Sequence, residues 1–77
     1  MKYDCELTDT FSGEANYTWV RRATFEAPDN ASDKLLMRRA KKLFGMNGTR
    51  GRKDTLGESL AFCPYGACVV LFINPNY

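Results

Sequence analysis

The sequence predicts an α+β fold in which a four- or five-stranded antiparallel sheet carries one helix packed on one face. Three observations support this prediction. Apolar and polar residues alternate near the start of the chain and short apolar runs lie near its end, a central segment has the helical period instead, and most connections are short. The predicted order is β-β-α-(β)-β-β, and a chain of 77 residues is sufficient for a single domain, residues 1–77.

The first two predicted strands form a hairpin. Residues 2–9 alternate between apolar and polar side chains, which is typical of a strand with one buried face. A second strand is predicted over residues 16–27, and residues 10–15 connect the two strands. The apolar side chains of the first strand are Tyr3, Cys5 and Leu7.

The second strand contains one aromatic side chain and one cation whose positions are informative. Trp19 is in register with Tyr17 and Phe25, so we expect its side chain to lie in the core. Arg21 falls on this same apolar side, which indicates a β-bulge or an edge position there.

One helix follows the hairpin. Asn30 or Ser32 can cap its start, Asp33 places a negative charge in its first turn, and Gly45 ends it in the left-handed conformation. The apolar side chains fall in one arc, and lysines and arginines occupy much of the remaining circumference. We therefore expect the helix to dock one face on the sheet. The apolar arc contains Leu36, Met37, Ala40, Leu43 and Phe44.

The C-terminal half predicts a loop and then two strands. Residues 46–58 are rich in glycine and in basic residues, and alternation over residues 49–53 allows a short strand within them. Two strands are predicted over residues 59–63 and 67–73, with a turn at residues 64–66 between them.

The last predicted strand is apolar on both faces, whereas one helix can cover only one face of a sheet. Either the second face meets another protein or a second copy of the chain, or the strand is central and loops cover its far side. If a second copy covers that face, the chain forms a homodimer whose self-association residues would be Val69, Leu71 and Ile73.

Positive charge is concentrated in one part of the chain. Eight of the eleven Lys and Arg residues lie within residues 34–53, although nine carboxylates reduce the net charge to +2. Such a cluster predicts a surface for an anionic partner, because arginine pairs bidentately with carboxylates. The predicted partner-binding residues are Arg38, Arg39, Lys42, Arg50, Arg52 and Lys53.

The sequence contains little that would support catalysis or metal binding. It has no histidine, so the commonest general base near neutral pH is missing. Three cysteines alone cannot supply the four ligands of a structural zinc site. We therefore expect no enzyme activity, no metal and no cofactor. We expect Cys63 and Cys68 to be small buried residues that flank a hairpin, with reduced thiols.

Targeting signals are also lacking. Residues 1–9 do not resemble a signal peptide, and the longest apolar run, residues 67–73, is too short to span a membrane. We expect a cytoplasmic protein without a membrane partner.

Three segments resemble small proteins of bacteriophages and prophages. The longest is LTDTFSGEANYTWVRR at residues 7–22, and residues 36–42 and 67–73 are similar to later parts of the same proteins. Such phage proteins often bind a host protein, and anti-CRISPR proteins are prominent among them. The resemblance therefore implies a binding protein in the cytoplasm of the bacterial host that inhibits a defence machine, with a CRISPR effector complex as the leading candidate. It implies no site residues.

The main alternative is a sequence-tolerant nucleic-acid-binding protein. The basic helix and the Gly/Arg loop could contact phosphates, and Phe11, Tyr65 and Tyr77 could offer stacking surfaces for bases. A third possibility is a structural phage component that assembles through the self-association residues.

Overall fold

The computed structural model describes residues 1–77 and consists of one α-helix and one five-stranded antiparallel sheet. The predicted α+β class is therefore confirmed, with the helix on one face of the sheet. The elements are β1 (Lys2–Phe11), β2 (Glu14–Glu26), α1 (Asp33–Leu43), β3 (Gly51–Leu56), β4 (Ser59–Pro64) and β5 (Val69–Asn76).

The strands lie in the order β2-β1-β5-β4-β3, and every neighbouring pair is antiparallel. The first and last strands of the chain, β1 and β5, pair with each other near the middle of the sheet. Strands β2 and β3 form the two edges, so α1 connects one edge to the other. The helix is too short and too polar to cross a membrane.

Both ends of α1 have the predicted capping residues. The Ser32 hydroxyl oxygen accepts a hydrogen bond from the Leu35 N–H at 3.2 Å, which satisfies a donor of the first turn. Gly45 follows the helix with φ of +69°, and the Met46 N–H donates to the Lys41 carbonyl at 2.8 Å. These bonds fix where the helix begins and ends.

The hydrophobic core lies between α1 and one face of the sheet. The helix contributes Leu36, Met37 and Ala40, and the central strand β5 contributes Leu71 and Ile73. These apolar side chains pack together, and their burial is the main source of stability in a small domain.

The placement of β5 corrects the predicted self-association surface. Leu71 and Ile73 are 0% and 1% exposed, and Val69 packs against the same core. These three residues face the helix, so a second copy could reach them only by displacing α1. These three side chains are therefore part of the core beneath α1 and not an exposed surface.

The other face of the sheet carries no second layer, yet its centre exposes little apolar surface. Thr8, Ala61 and Val70 are buried there, and Phe72 is half-buried. Ala61 lies between Phe72 and Asp54 in the strand register, so longer side chains flank it. We call this surface the open face.

Strand β2 contains a large irregularity. Thr8 pairs with Val20 and Thr10 pairs with Ala15, so residues 16–19 together oppose only Asp9. We call residues 16–19 the β2 bulge. It makes the edge of the sheet irregular, as bulges commonly do.

Two predictions about β2 are affected by the bulge. Trp19 lies within it and is 41% exposed, so the prediction that Trp19 belongs to the core was wrong. Arg21 lies beyond the bulge, pairs regularly with Leu7, and places its guanidinium 5.6 Å from the centre of the Phe44 ring. Arg21 therefore has no bulge at its own position, and the edge position that was the alternative prediction is confirmed, because β2 is an edge strand.

Candidate functional site

A cavity of about 310 Å³ lies between α1 and the edge strand β3. Four of its seven lining residues are cationic, and none is acidic. The cations are Lys34, Arg38, Lys41 and Lys53, and we call this cavity the basic groove. Met37, Asn47 and Gly48 complete the lining.

Helical spacing and strand register together form the groove. Lys34, Arg38 and Lys41 are separated by four and then three residues, so they lie along one side of α1. Lys53 pairs with Phe62 in the β3–β4 register, and Phe62 belongs to the core beneath the helix. Lys53 therefore faces the helix side and meets the helical cations across the cavity.

Lys41 has a positioning role within the groove. Its ammonium donates to the Thr49 carbonyl at 2.6 Å and lies 4.6 Å from the centre of the Phe62 ring. The first contact ties the loop after the helix to α1, and the second is a cation–π interaction. Lys41 thus holds the wall that carries Asn47 and Gly48.

The other groove cations have no acidic partner within the chain. The chain forms three ion pairs, and none of them includes Lys34, Arg38 or Lys53. The charges of these three side chains are consequently available to an external anion. The ion pairs are Met1 N–Asp29, Arg22–Glu6 and Arg52–Asp54.

The structure divides the six predicted partner-binding residues among several surfaces. Arg38 and Lys53 lie in the groove. Arg39 donates from Nη1 to the Glu26 carbonyl at 2.5 Å, and Lys42 lies beside it over the β2 side of the helix. These two cations therefore point away from the groove.

The remaining predicted cations lie near the start of β3. Arg52 is on the open face, where its Nε lies 3.1 Å from Asp54 Oδ2. Arg50 is exposed, and its carbonyl accepts a hydrogen bond from the Tyr65 N–H at 3.0 Å. Neither side chain lines the groove.

Two of the four groove cations were absent from the predicted set of partner-binding residues. Lys34 and Lys41 were recognised in the sequence as basic residues of the helix but were not assigned to the site. Their positions four residues before and three residues after Arg38 are the signal that could have identified them, because such residues share a helix face.

The predicted stacking residues lie outside the groove. Phe11 and Tyr65 are exposed near the end of the sheet where the two hairpin turns meet, as the Thr10 N–H to Cys68 carbonyl bond indicates. Tyr77 donates its hydroxyl to the Glu58 carboxylate, and this bond raises the pKa of Tyr77. No aromatic side chain lines the basic groove.

The three cysteines are free and occupy different environments. Burial, followed by the nearby Asp4 charge, raises the pKa of the Cys5 thiol to about 12, so this thiol is protonated near neutral pH. Cys63 is half-buried and Cys68 is exposed, which corrects the prediction that both are buried. No cluster of three His, Cys, Asp or Glu side chains could hold a metal ion.

A scan against protein families found no match, and searches of curated proteins and of solved structures found none either. Function is therefore inferred from the basic groove and its surroundings.

Proposed function

We propose that this protein is a small binding protein that docks its basic groove on an acidic surface of a host protein complex. The observation that carries the proposal is the convergence of Lys34, Arg38 and Lys53 on one concavity that contains no carboxylate. Unneutralised like charges at close range raise the energy of the free protein. A partner that supplies carboxylates removes this repulsion and forms charge-assisted hydrogen bonds.

The groove is preorganised for such a contact. Lys41 fastens the loop wall to the helix, and capping interactions hold both ends of α1. Binding therefore requires little ordering of the backbone, which reduces the entropic cost of association. Close charge pairs in a tight, desolvated protein interface can have coupling energies of about 1.5–7 kcal/mol, whereas solvent-exposed pairs contribute about 0–1 kcal/mol.

Inhibition by steric occlusion follows from this mode of binding and requires no catalysis. The resemblance to small phage proteins makes a CRISPR effector complex the candidate target. Such a complex holds nucleic acid on basic surfaces, which would repel the groove. The protein would therefore occupy an acidic patch of the complex and block a conformational change or a partner from that position.

Nucleic-acid binding is the second candidate, because the same four cations could contact phosphates. The separation of the groove from Phe11, Tyr65 and Tyr77 favours the protein partner. A sequence-tolerant binder of single strands combines cations with stacking aromatics in one track. Here none of these aromatics lines the groove, and the cation that shares a cavity with one of them is Arg52, beside Tyr65.

Phage challenge of a panel of hosts, each carrying one type of CRISPR system, tests the proposal. We expect the wild-type protein to restore plaque formation on at least one host, and the Arg38→Glu variant to lose this activity. Arg39→Glu is the matched control, because the same charge change falls on the other side of the helix. Circular dichroism should verify that both variants fold.

Two results would contradict the proposal. One is that the wild-type protein restores plaque formation on none of the hosts of the panel. The other is micromolar or tighter binding to DNA or RNA with a steep dependence on salt, which would favour the nucleic-acid alternative.

A further inference from the structure

We infer that the partner segment seated on the basic groove is an extended acidic strand that pairs with the free edge of β3. This inference rests on the proposed function and specifies the chemistry and conformation of the partner. It is a case of β-strand addition, in which backbone hydrogen bonds provide affinity and alternate side chains provide specificity.

The first observation is that one side of β3 has no neighbour. Strand β3 pairs only with β4, and it is the last strand of the sheet. Outside the pairing with β4, no other segment of the chain forms a hydrogen bond with the backbone of residues 51–56. The backbone groups along the outer side of β3 are therefore available to another strand.

The second observation is that β3 is the regular edge of the sheet. Its six residues pair with β4 without a register shift. The opposite edge, β2, contains the β2 bulge, in which Tyr17 has φ of +54°. A bulge interrupts the straight row of donors and acceptors that an incoming strand requires, so β3 is the edge that fits one.

The third observation is that the charges match an alternating acidic pattern. A strand added to β3 would lie about 4.8 Å beyond it, and every second side chain would face the helix side. On that side it would meet the basic groove, whose free cations are Lys34, Arg38 and Lys53. Acidic residues at alternate positions would therefore each face positive charge.

Lys53 disfavours the simplest competing occupant of this edge, which is β3 of a second copy of the chain. If β3 paired with β3 of a second copy, the two Lys53 side chains would approach across the new pair of strands. Like charges opposite each other destabilise strand pairing, and lysine on an edge strand is a common protection against it. A carboxylate of an acidic strand placed opposite Lys53 would attract the lysine instead of repelling it.

Isothermal titration calorimetry with short synthetic peptides tests the inference. We expect a peptide with glutamate at alternate positions and threonine between them to bind, and the same peptide with lysine in place of glutamate not to bind. Methylation of the peptide backbone nitrogens that face β3 should weaken binding about tenfold. The Lys53→Glu variant should no longer bind the glutamate peptide. The Arg52→Glu variant should still bind it, because Arg52 lies on the open face.

The outcomes separate the inference from the proposed function. Equal binding of the methylated and unmethylated peptides would overturn strand addition, although the groove would still bind acidic side chains. If no glutamate peptide binds while Arg38→Glu still abolishes inhibition, the inference fails and the proposed function stands. If oligonucleotides bind in place of the peptides, both fail.

Discussion

At the scale of single residues, Asp9 illustrates how one carboxylate can hold an irregular backbone. Its Oδ1 accepts from the Thr18 N–H at 2.9 Å, and its Oδ2 accepts from Asn16 Nδ2 at 3.2 Å. The neighbouring Thr8 hydroxyl donates to the Trp19 carbonyl at 2.8 Å. These bonds retain the β2 bulge, in which Tyr17 has a positive φ that is unfavourable for an aromatic residue.

The pKa of Asp9 leads to a prediction about acid stability. Hydrogen bonding from Thr18, and secondarily from Asn16, lowers this pKa from 3.8 to about 2. Because the folded pKa is below the unfolded one, the stabilisation is present above about pH 4 and is lost as the pH falls through about 2. We expect Asp9→Ala to lower the free energy of unfolding at pH 7 and to remove this part of its pH dependence.

Urea denaturation at several pH values would measure the effect of Asp9→Ala. Fluorescence is a direct readout, because Trp19 is the single tryptophan and lies in the β2 bulge. Glu14→Ala, which removes an exposed carboxylate from the same hairpin, is the control. Superimposable pH profiles for Asp9→Ala and the wild type would contradict the assigned role.

At the scale of secondary-structure elements, Gly51 shows why β3 was difficult to predict. The abundance of glycine in residues 46–58 indicated a loop, with only a short strand allowed over residues 49–53. In the structure Gly51 begins β3, and a Cβ atom at this position would lie 2.7 Å from Pro64 Cα and closer still to the Cys63 carbonyl oxygen. Glycine is needed here because two strands approach each other closely. The sequence alone does not show whether a glycine serves such a contact or a flexible loop.

This close approach predicts that Gly51→Ala separates β3 from β4. We expect a loss of about 3 kcal/mol in the free energy of unfolding, because backbone atoms cannot move aside cheaply. Gly48→Ala is the comparison, since no atom lies within 4 Å of its Cβ position. Its φ of +76° should cost only about 1 kcal/mol. Equal losses in chemical denaturation would show that close packing at Gly51 is unimportant.

At the scale of the whole molecule, the sheet distributes neighbouring cations to opposite surfaces. Arg52 lies on the open face and pairs with Asp54, whereas Lys53 lies in the basic groove. Side chains of successive strand residues point to opposite faces, so a basic run in the sequence cannot form one patch in a strand. Arg38 and Arg39 diverge similarly on the helix.

This arrangement predicts that a small anion stabilises the native protein through the groove. Inorganic phosphate at about ten times its Kd should raise the free energy of unfolding by about 1.4 kcal/mol, and Tm by several degrees. The increase should vanish in Lys53→Glu and persist in Arg52→Glu. Chloride at matched ionic strength is the control for screening. An equal increase in both variants would show that phosphate acts elsewhere.

The sequence by itself determined the features that depend on nearby residues. Alternation identified β1, a short apolar run identified β5, helical periodicity and the residues Ser32 and Gly45 identified α1, and the order of the elements indicated the α+β class. These predictions were confirmed because propensity, capping and periodicity act over a few residues. They also showed that the helix is basic, without establishing which cations share a surface.

Only the tertiary structure decided which face of each strand meets the helix and which distant segments lie side by side. The last strand is apolar on both faces, so its sequence could not indicate that Leu71 is buried under α1 while Phe72 lies on the open face. Likewise, Lys53 joins Arg38 only because β3 lies at the sheet edge beside the helix. Such contacts depend on pairing between distant parts of the chain, which local periodicity does not encode.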